Sequence, residues 1–451
     1  MRRRTMLLLV LLIASIAFII IATAKLELHP FLALLITAFG FGILSGMPLL
    51  DVVNSVNGGF GGTIGYIGIV ILAGSIIGTF LEKSGGALML AERMLKLTGE
   101  KNVPAAMGIV GYIVSMPVFC DSGFVLLSPL NKALARKAGI TLAGSAIALS
   151  LGLYATHTMV PPTPGPVAAA GIINADLGLV ILWGIVVSLV ALFAGWLFAI
   201  LIASRIYISP DAGSEQAEGV TVPSRALPSL GKSIAPIVVP IVLIVIRSFV
   251  ELPNKPLGEG AIIIFVSFIG QPVVALLIGV ALAMLLPKTL DKAKISSSGW
   301  VGEAVVAAAT IIIITGAGGA FGRVLQNSGI ADNIGASLAG VPLGIGLPFI
   351  VAAGIKTAQG SSTVSMITTA SLMAPLLPSL GLEGDTAKAL VVVAIGAGAM
   401  VVSHANDSYF WVVTRFSNMD VPTGYRLQTL GTFCEGAAAA VALWCLSLIL
   451  L

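Results

Sequence analysis

The fold is decided by a break in a long apolar region, which reads Thr156-His157-Thr158-Met159-Val160-Pro161-Pro162-Thr163-Pro164-Gly165-Pro166. Four prolines and one glycine fall within six residues here, and proline lacks the N–H that continues a helix. Inside a bilayer a helix can break only where the freed backbone groups face protein or a water-filled cavity. The stretch therefore predicts either a broken transmembrane helix at a binding site or a surface loop between two spans.

The composition of the chain is that of a polytopic membrane protein. Apolar residues make up 57% of the chain and charged residues 10%, and the mean hydropathy is +1.06. The net charge of +4 is too small to indicate a nucleic-acid partner, and it fits basic cytoplasmic loops. We therefore expect an all-α protein that crosses the lipid bilayer several times and binds no nucleic acid.

Two apolar halves are joined by a polar segment. The chain starts with three arginines and an apolar run to residue 21, which has the pattern of a secretory signal. Because the run is long and further spans follow, we expect an uncleaved first span with its basic end in the cytoplasm. The longest polar segment predicts a central linker at 209–232, between an N-terminal transmembrane repeat at 1–208 and a C-terminal transmembrane repeat at 233–451.

A second break, Cys120-Asp121-Ser122-Gly123, interrupts the apolar segment at 108–129. It is either a short turn outside the membrane or the tip of a re-entrant hairpin inside it. A carboxylate within a bilayer is costly unless it is paired or functional. We therefore interpret Asp121 as a functional residue and favour the re-entrant hairpin over the turn.

Three features of the first half recur in the second half in the same order. The pair Gly74 and Gly78 recurs as Gly318 and Gly322, at an offset of 318 − 74 = 244. The break at Asp121 has a counterpart near offset 240, Gly360-Ser361-Ser362-Thr363. Thr156-His157 has a counterpart in Ser403-His404, at an offset of 404 − 157 = 247. Duplicated halves with paired helix breaks are typical of secondary transporters, whose site forms at the repeat interface. Because each half has an odd number of predicted crossings, we expect inverted-topology repeats.

Four motifs together resemble the gluconate permease family: Gly58-Gly59-Phe60-Gly61-Gly62, Pro117-Val118-Phe119-Cys120-Asp121, Val160-Pro161-Pro162-Thr163-Pro164-Gly165-Pro166 and Ser403-His404-Ala405-Asn406-Asp407-Ser408. The resemblance covers nearly the whole chain. It implies a multi-pass symporter of the bacterial inner membrane for small hydroxylated carboxylates, usually proton-coupled, with gluconate the commonest substrate. It also implies kinship with the ion-transporter superfamily, built on two inverted repeats that each contain a re-entrant hairpin and a broken helix.

The sequence departs from the family pattern at two positions of the predicted site. Thr163 stands where the family usually has histidine, and Cys120 stands where it usually has an aromatic residue. The resemblance therefore leaves the substrate open among gluconate, D-serine and other hydroxy acids. Coupling to sodium and exchange of one acid for another also stay open.

The predicted substrate site is formed by polar groups at the four breaks. Hydroxyls and the freed N–H groups of half-helix starts would hold a substrate carboxylate, and Asn406 can donate to and accept from a polyol. The alternative for each hydroxyl is a contact within its own helix turn or with a neighbouring helix. The predicted substrate-binding residues are Asp121, Ser122, Gly123, Thr156, His157, Thr163, Gly360, Ser361, Ser362, Thr363, Ser403, His404, Asn406 and Asp407.

Proton coupling needs a group that titrates near neutral pH. A carboxyl in low dielectric or a histidine meets this requirement, so the predicted coupling residues are Asp121, His157, His404 and Asp407. A buried structural pair is the alternative. Lys356 and Arg323 also lie near the second-half breaks, and we interpret both as residues that reach the interface from the end of a span rather than as counter-charges for an anion.

Other classes of function fit less well. No His-Glu-x-x-His or Gly-x-Ser-x-Gly pattern occurs, so we expect no enzyme, catalytic residue, metal site or cofactor. A channel would need a continuous polar lining instead of compact paired breaks. We expect a homo-oligomer whose partners are a small anionic hydroxy acid, a coupling proton or sodium ion, and the lipid bilayer.

Overall fold

The structure is a computed structural model that describes residues 2–98, 102–210, 227–251, 258, 260–330, 344–405 and 407–451. These residues form helices and turns and no β-strand, which confirms the predicted all-α class. In chain order the helices are α1 (Arg2–Ala24), α2 (Pro30–Leu44), α3 (Leu49–Ser84), α4 (Gly86–Thr98), α5 (Val103–Val114), α6 (Cys120–Ala138), α7 (Leu142–Met159), α8 (Pro164–Ile173), α9 (Leu177–Leu201), α10 (Leu230–Val250), α11 (Ala261–Ile269), α12 (Pro272–Ala283), α13 (Lys292–Ile295), α14 (Trp300–Asn327), α15 (Gly346–Gln359), α16 (Ser362–Met373), α17 (Asp385–Met400), α18 (Ser408–Phe416), α19 (Val421–Gly424) and α20 (Leu430–Leu450).

Several helices are suited to crossing a membrane. Within the described ranges, five helices are long and apolar enough to span it, and two bent pairs raise the number to seven. One of these pairs, α11 and α12, bends by 64°. Residues 211–226, which make up most of the predicted central linker, lie outside the described residues, and α10 begins at Leu230.

Two pairs of short helices form hairpins. The pair α5 and α6 turns at residues 115–119, and the pair α15 and α16 turns at Gly360 and Ser361. Gly360 has a φ of +93°, a backbone conformation that L side chains rarely adopt. Helices α5, α15 and α16 have 12, 14 and 12 residues, fewer than the roughly 20 that a bilayer span needs. Their lengths are those of re-entrant segments.

Two helices are broken, as the sequence predicts. Helix α7 ends at Met159 and α8 begins at Pro164, because Pro161 holds Val160 in an extended conformation with φ −118° and ψ 115°. All residues of α7 and α8 are buried, so the surface-loop interpretation of this stretch is wrong. The second broken helix is α17 and α18, which are separated by residues 401–407.

Long helices hold these elements in place. Helix α3 packs along α14, and its glycines Gly74 and Gly78 lie against the two first-half breaks. A Cβ at Gly74 would lie 2.9 Å from the carbonyl oxygen of Pro162, and one at Gly78 would overlap the carbonyl oxygen of Pro117. Because only hydrogen fits at these positions, glycine lets α3 approach the backbone of the hairpin turn and the broken helix.

Helices of the first half pack against helices of the second half close to the breaks. Helix α8 from the first half packs against α16, which belongs to the second-half hairpin. In the same way, α18 packs against α6 of the first-half hairpin. The breaks of both halves therefore meet in one region, whereas the opposite orientation of the two repeats in the membrane stays a prediction.

Candidate functional site

An inner cavity of about 310 Å³ lies where the breaks meet. It is bordered by the first turns of α6, α16 and α18 and by the last turns of α7. Its lining residues are Phe119, Cys120, Asp121, Tyr154, His157, Gly360, Ser361, Ser362, Thr363, Asp407, Ser408 and Tyr409. Seven of them belong to the predicted substrate site, namely Asp121, His157, Gly360, Ser361, Ser362, Thr363 and Asp407.

Three helix N-termini face this inner cavity. Helix α6 begins at Cys120, α16 follows its N-cap Ser361, and α18 follows its N-cap Asp407. The Ser361 hydroxyl accepts from the backbone N–H of Val364 at 3.3 Å, which leaves the other N–H groups of this first turn without a partner inside the helix. Each N-terminus carries a partial positive charge, so the cavity wall favours an anion.

Three polar side chains in the cavity wall, Asp121, Tyr154 and His157, have atoms without a hydrogen-bond partner among the described residues. These atoms are the buried Oδ1 of Asp121, the hydroxyl oxygen of Tyr154 and Nδ1 of His157. The imidazole of His157 stacks on the ring of Tyr154, with centroids 6.3 Å apart and planes 10° apart. Buried polar atoms in proteins are almost always hydrogen-bonded, so these three are available to a ligand or water in the cavity.

Lys356 forms a buried ion pair with Asp407, which lines the cavity. The side chain of Lys356 is 0% exposed, and its Nζ lies 2.7 Å from Oδ2 of Asp407. The ammonium also donates to the carbonyl oxygen of Gly360 and lies 5.9 Å from the centre of the Tyr154 ring. Our interpretation of Lys356 as a residue reaching the membrane interface is therefore wrong.

The carboxylate of Asp407 has further partners. The hydroxyl of Ser403 donates to Oδ2 at 2.6 Å, and Oδ1 caps α18 by accepting from the N–H of Tyr409 at 3.1 Å. Ser403 is in turn fixed to α20, because its N–H donates to the hydroxyl of Thr432 at 3.0 Å. The charge of Asp407 is thus balanced and its geometry is fixed, which is what a buried carboxylate requires.

Two predicted hydroxyls point away from the inner cavity. The hydroxyl of Thr156 donates to the carbonyl oxygen of Tyr112 at 2.9 Å, so it joins α7 to α5. The hydroxyl of Thr163 donates to the carbonyl oxygen of Val160 at 2.6 Å and closes the turn between α7 and α8. In this structure both residues stabilise the broken helix and do not line the cavity.

Ser122, Gly123 and His404 were also predicted but do not line the cavity. Ser122 is half-buried in the first turn of α6, and Gly123 packs so closely on Leu153 that a Cβ would lie 2.7 Å from it. The imidazole Nε2 of His404 lies 2.8 Å from the carbonyl oxygen of Thr357. Asn406 lies outside the described residues.

A second cavity of about 420 Å³ lies at the other end of α8 and α16. Its lining includes three glycines of the motif at 58–62 and three charged residues, namely Gly58, Gly59, Gly62, Arg323, Lys388 and Glu383. Thr363 lines the inner cavity and Ala374 lines the second, so roughly 16 Å of helix α16 connects the two, at about 1.5 Å per residue. Arg323 is exposed, which agrees with its predicted position at the end of a span.

An all-helical membrane protein whose broken helices surround a polar cavity has the architecture of a secondary transporter. Comparison with known proteins specifies the class further. The sequence profile of the GntP family of permeases matches residues 6–449. The chain therefore belongs to the GntP permease family, as its motifs predicted. This membership identifies it as a multi-pass permease of the bacterial inner membrane.

Individual relatives cover almost the entire chain. A protein of Pseudomonas aeruginosa named gluconate permease is 34% identical over 446 residues, which are 97% of each chain. The D-serine transporter DsdX of Escherichia coli is 33% identical and covers 97% of this chain and 98% of its own. Among solved structures, MtrF of Neisseria gonorrhoeae has a TM-score of 0.69 at 16% identity, covering 95% of this chain and 96% of its own. That last similarity shows the fold alone.

Sequence reasoning missed several residues of the site. Tyr154 and Tyr409 form part of the wall, and Lys356 balances the charge of Asp407. The aromatic residues lie in ordinary apolar runs and gave no signal. For Lys356 a signal existed, because a lysine four residues before a predicted break can reach into that break when the preceding segment is helical.

Proposed function

We propose that the protein imports gluconate or a related sugar acid across the inner membrane together with a proton. Family membership and the relative named gluconate permease support this substrate class. The relative named D-serine transporter supports D-serine as the second candidate. Both compounds combine a carboxylate with at least one hydroxyl, so the site must bind these two groups in either case, whereas D-serine also carries an ammonium group.

One observation carries the proposal: three helix N-termini converge on the inner cavity. A substrate carboxylate placed there would accept hydrogen bonds from backbone N–H groups of the first turns of α6, α16 and α18. The cavity volume of about 310 Å³ lies at the lower end of the range for ligand sites, about 300–1,000 Å³. A small hydroxy acid is a suitable occupant, and a large ligand is not.

Hydroxyls of the substrate would meet a wall that can both donate and accept. Ser362, Thr363 and Ser408 supply hydroxyl groups, and Asp121 and His157 supply buried atoms without a partner. An apolar molecule of the same size would leave these atoms unsatisfied, which costs about 1–3 kcal/mol for each group. The wall therefore selects for polyhydroxylated ligands.

The charge balance of the cavity supports coupling to a proton. Lys356 and Asp407 neutralise each other, which leaves Asp121 as the carboxyl without a counter-charge among the described lining residues. A bound carboxylate would repel an ionised Asp121, so substrate binding favours the protonated form. By linkage, protonation of Asp121 then favours substrate binding to the same degree. His157 faces the same space and is the second coupling candidate.

Transport would require the site to open alternately to the two sides of the membrane. We propose that the two halves are inverted repeats and that α8 and α16, packed together between the two cavities, move relative to the surrounding helices. Sodium coupling and exchange are the alternatives to proton symport, and transport measurements distinguish the three. We also propose a homo-oligomeric assembly, which a measurement of the mass of the purified protein tests.

Uptake into proteoliposomes tests the proposal. Purified protein is reconstituted, and uptake of labelled gluconate is followed with an inward proton gradient, with a sodium gradient and with neither. We expect accumulation above equilibrium under the proton gradient alone, and competition by other sugar acids. Accumulation under the sodium gradient alone would show that sodium, and not the proton, is the coupling ion. Uptake of D-serine without uptake of gluconate would show that D-serine is the substrate.

A further inference from the structure

A buried carboxyl outside the cavity has no partner. Glu435 lies on α20 and is 0% exposed, and neither of its carboxylate oxygens forms a hydrogen bond among the described residues. It faces α9 and α7, since a Cβ at Gly195 would lie 3.0 Å from Leu151 and 3.3 Å from Oε1 of Glu435. Both neighbours are apolar, so the carboxyl lies in a low-dielectric contact between three helices.

Among the described residues, no cation forms a hydrogen bond with the carboxyl of Glu435. Helix α20 packs against α7, α9, α15, α17 and the π-helical turn at 425–429, and α9 carries no titratable residue. The titratable residues of these elements and of α20 itself are Tyr154, His157, Lys356, Asp385, Lys388, Tyr425, Arg426, Cys434 and Cys445. None of them hydrogen-bonds to Glu435.

The cations in this set are paired, exposed or distant from Glu435. Arg426, which lies 435 − 426 = 9 residues before Glu435, is exposed. Lys356 is paired with Asp407. Lys388 lies near the start of α17, whereas Gly436, the neighbour of Glu435, contacts Ala397 near the end of that helix. An isolated carboxylate in an apolar interior binds a proton and becomes neutral rather than staying ionised. Glu435 therefore holds a proton in this conformation.

Glu435 is connected to the inner cavity through the elements around it. The hydroxyl of Tyr409, a cavity residue, donates to the carbonyl oxygen of Ser150 at 2.9 Å. Ser150 precedes Leu151 and donates to Gln428 at 2.8 Å. Gln428 belongs to the π-helical turn before α20, and its Nε2 has no partner among the described residues. Turns of this kind are frequent at functional sites.

Helix α20 is also joined to the second break by a hydrogen bond. Thr432, one turn before Glu435, accepts from the N–H of Ser403, and Ser403 donates to Asp407. A movement of the break at 401–407 would therefore displace α20 relative to α7 and α9. Such a displacement is what would bring water to a carboxyl that is sealed in this conformation.

We propose that Glu435 is a second proton-binding site of the transport cycle. The proton on its carboxyl is held while the site is closed and passes to water when α20 moves, which leaves a carboxylate that takes a proton from the opposite side on return. This inference rests on the proposed proton symport. The inference adds Glu435, a carboxyl outside the substrate site, to the coupling residues. Glu435 would ionise when the second break moves.

The test compares Glu435→Gln with Glu303→Gln in proteoliposomes. Gln has the shape of the neutral carboxyl and cannot release a proton, whereas Glu303 forms a half-exposed ion pair with Lys83 and serves as the matched control. We expect E435Q to keep gluconate counterflow and to carry one proton fewer per gluconate than the wild type. E303Q should keep both properties. An unchanged proton-to-gluconate ratio in E435Q would overturn the inference.

A measurement on the wild type keeps the inference testable if E435Q does not fold. The infrared spectrum at neutral pH should contain the carbonyl band of a protonated carboxyl, assigned by its displacement in the Glu435→Asp variant. Absence of that band would also overturn the inference. Failure of the wild type to take up protons with gluconate would instead refute the proposed function, so the two failures are distinguishable.

Discussion

Removal of one member of the buried ion pair is the sharpest test of the site. In Lys356→Met the carboxylate of Asp407 keeps the hydroxyl of Ser403 and the N–H of Tyr409 but loses its counter-ion. Breaking a buried pair in this way costs about 3–5 kcal/mol, because one uncompensated charge stays in the interior. We expect Lys356→Met to lower the free energy of unfolding by about this amount.

The double variant separates charge from packing. Lys356→Met combined with Asp407→Asn removes both charges, and Asn retains an oxygen that can cap α18. Since replacement of a whole buried pair is often neutral, the double variant should recover most of the stability that Lys356→Met loses. The coupling energy of this double-mutant cycle should therefore be at least about 2 kcal/mol, within the range known for directly contacting residues.

Unfolding of the purified protein in mixed micelles by a denaturing detergent measures these differences. Arg323→Met is the control, because Arg323 is exposed and its side chain donates a hydrogen bond within its own helix, to Gln326 at 3.1 Å. It should change the stability by less than about 0.5 kcal/mol. If the effects of Lys356→Met and Asp407→Asn simply add in the double variant, the pair is not coupled and the description of the site is wrong.

Three further variants test other parts of the structure. Gly360→Ala places a side chain at a φ of +93° and should cost about 1–3 kcal/mol in detergent unfolding; wild-type stability would show that the hairpin turn is misdescribed. Thr156→Val loses one buried hydrogen bond and should cost about 0.5–1.5 kcal/mol with an unchanged KM for gluconate, whereas a raised KM would place its hydroxyl in the substrate site. Asp121→Asn keeps the shape of the side chain and should carry one proton fewer per gluconate, which lowers the accumulation driven by the proton gradient while counterflow persists; an unchanged proton-to-gluconate ratio would refute its coupling role.

The broken helix at the start of the site could be predicted because its cause is local. Proline chemistry ends α7 and restarts α8 whatever surrounds them, and the break occurs at residues 160–163. The turn of the first hairpin was less well placed. The turn lies at 115–119, and Asp121 belongs to the first turn of α6. The sequence prediction is displaced because an acidic residue in an apolar segment indicates that a turn is near but does not show at which residue the next helix begins.

Side-chain directions could not be predicted in the same way. His157 and His404 occupy equivalent positions in the sequence repeat, yet only His157 lines the inner cavity. The reason lies in the breaks themselves, which cover 160–163 in the first half and 401–407 in the second. In the longer second break the imidazole of His404 lies against the carbonyl oxygen of Thr357. This difference in backbone path cannot be read from the sequence repeat.

The charges of the site also break the symmetry of the two halves. At the offset of 240 that relates the two hairpins, the first-half position equivalent to Lys356 is Met116. The second hairpin is therefore tied to its own broken helix by an ion pair, from Lys356 on α15 to Asp407 before α18, whereas the first hairpin has no such tie at Met116. Because breaking that pair costs several kcal/mol, α15, the turn at Gly360 and the break at 401–407 should move as one unit. The substrate carboxylate would then bind at a junction in which one side is held rigid by its own charges and the other side, with Asp121, changes charge during the cycle.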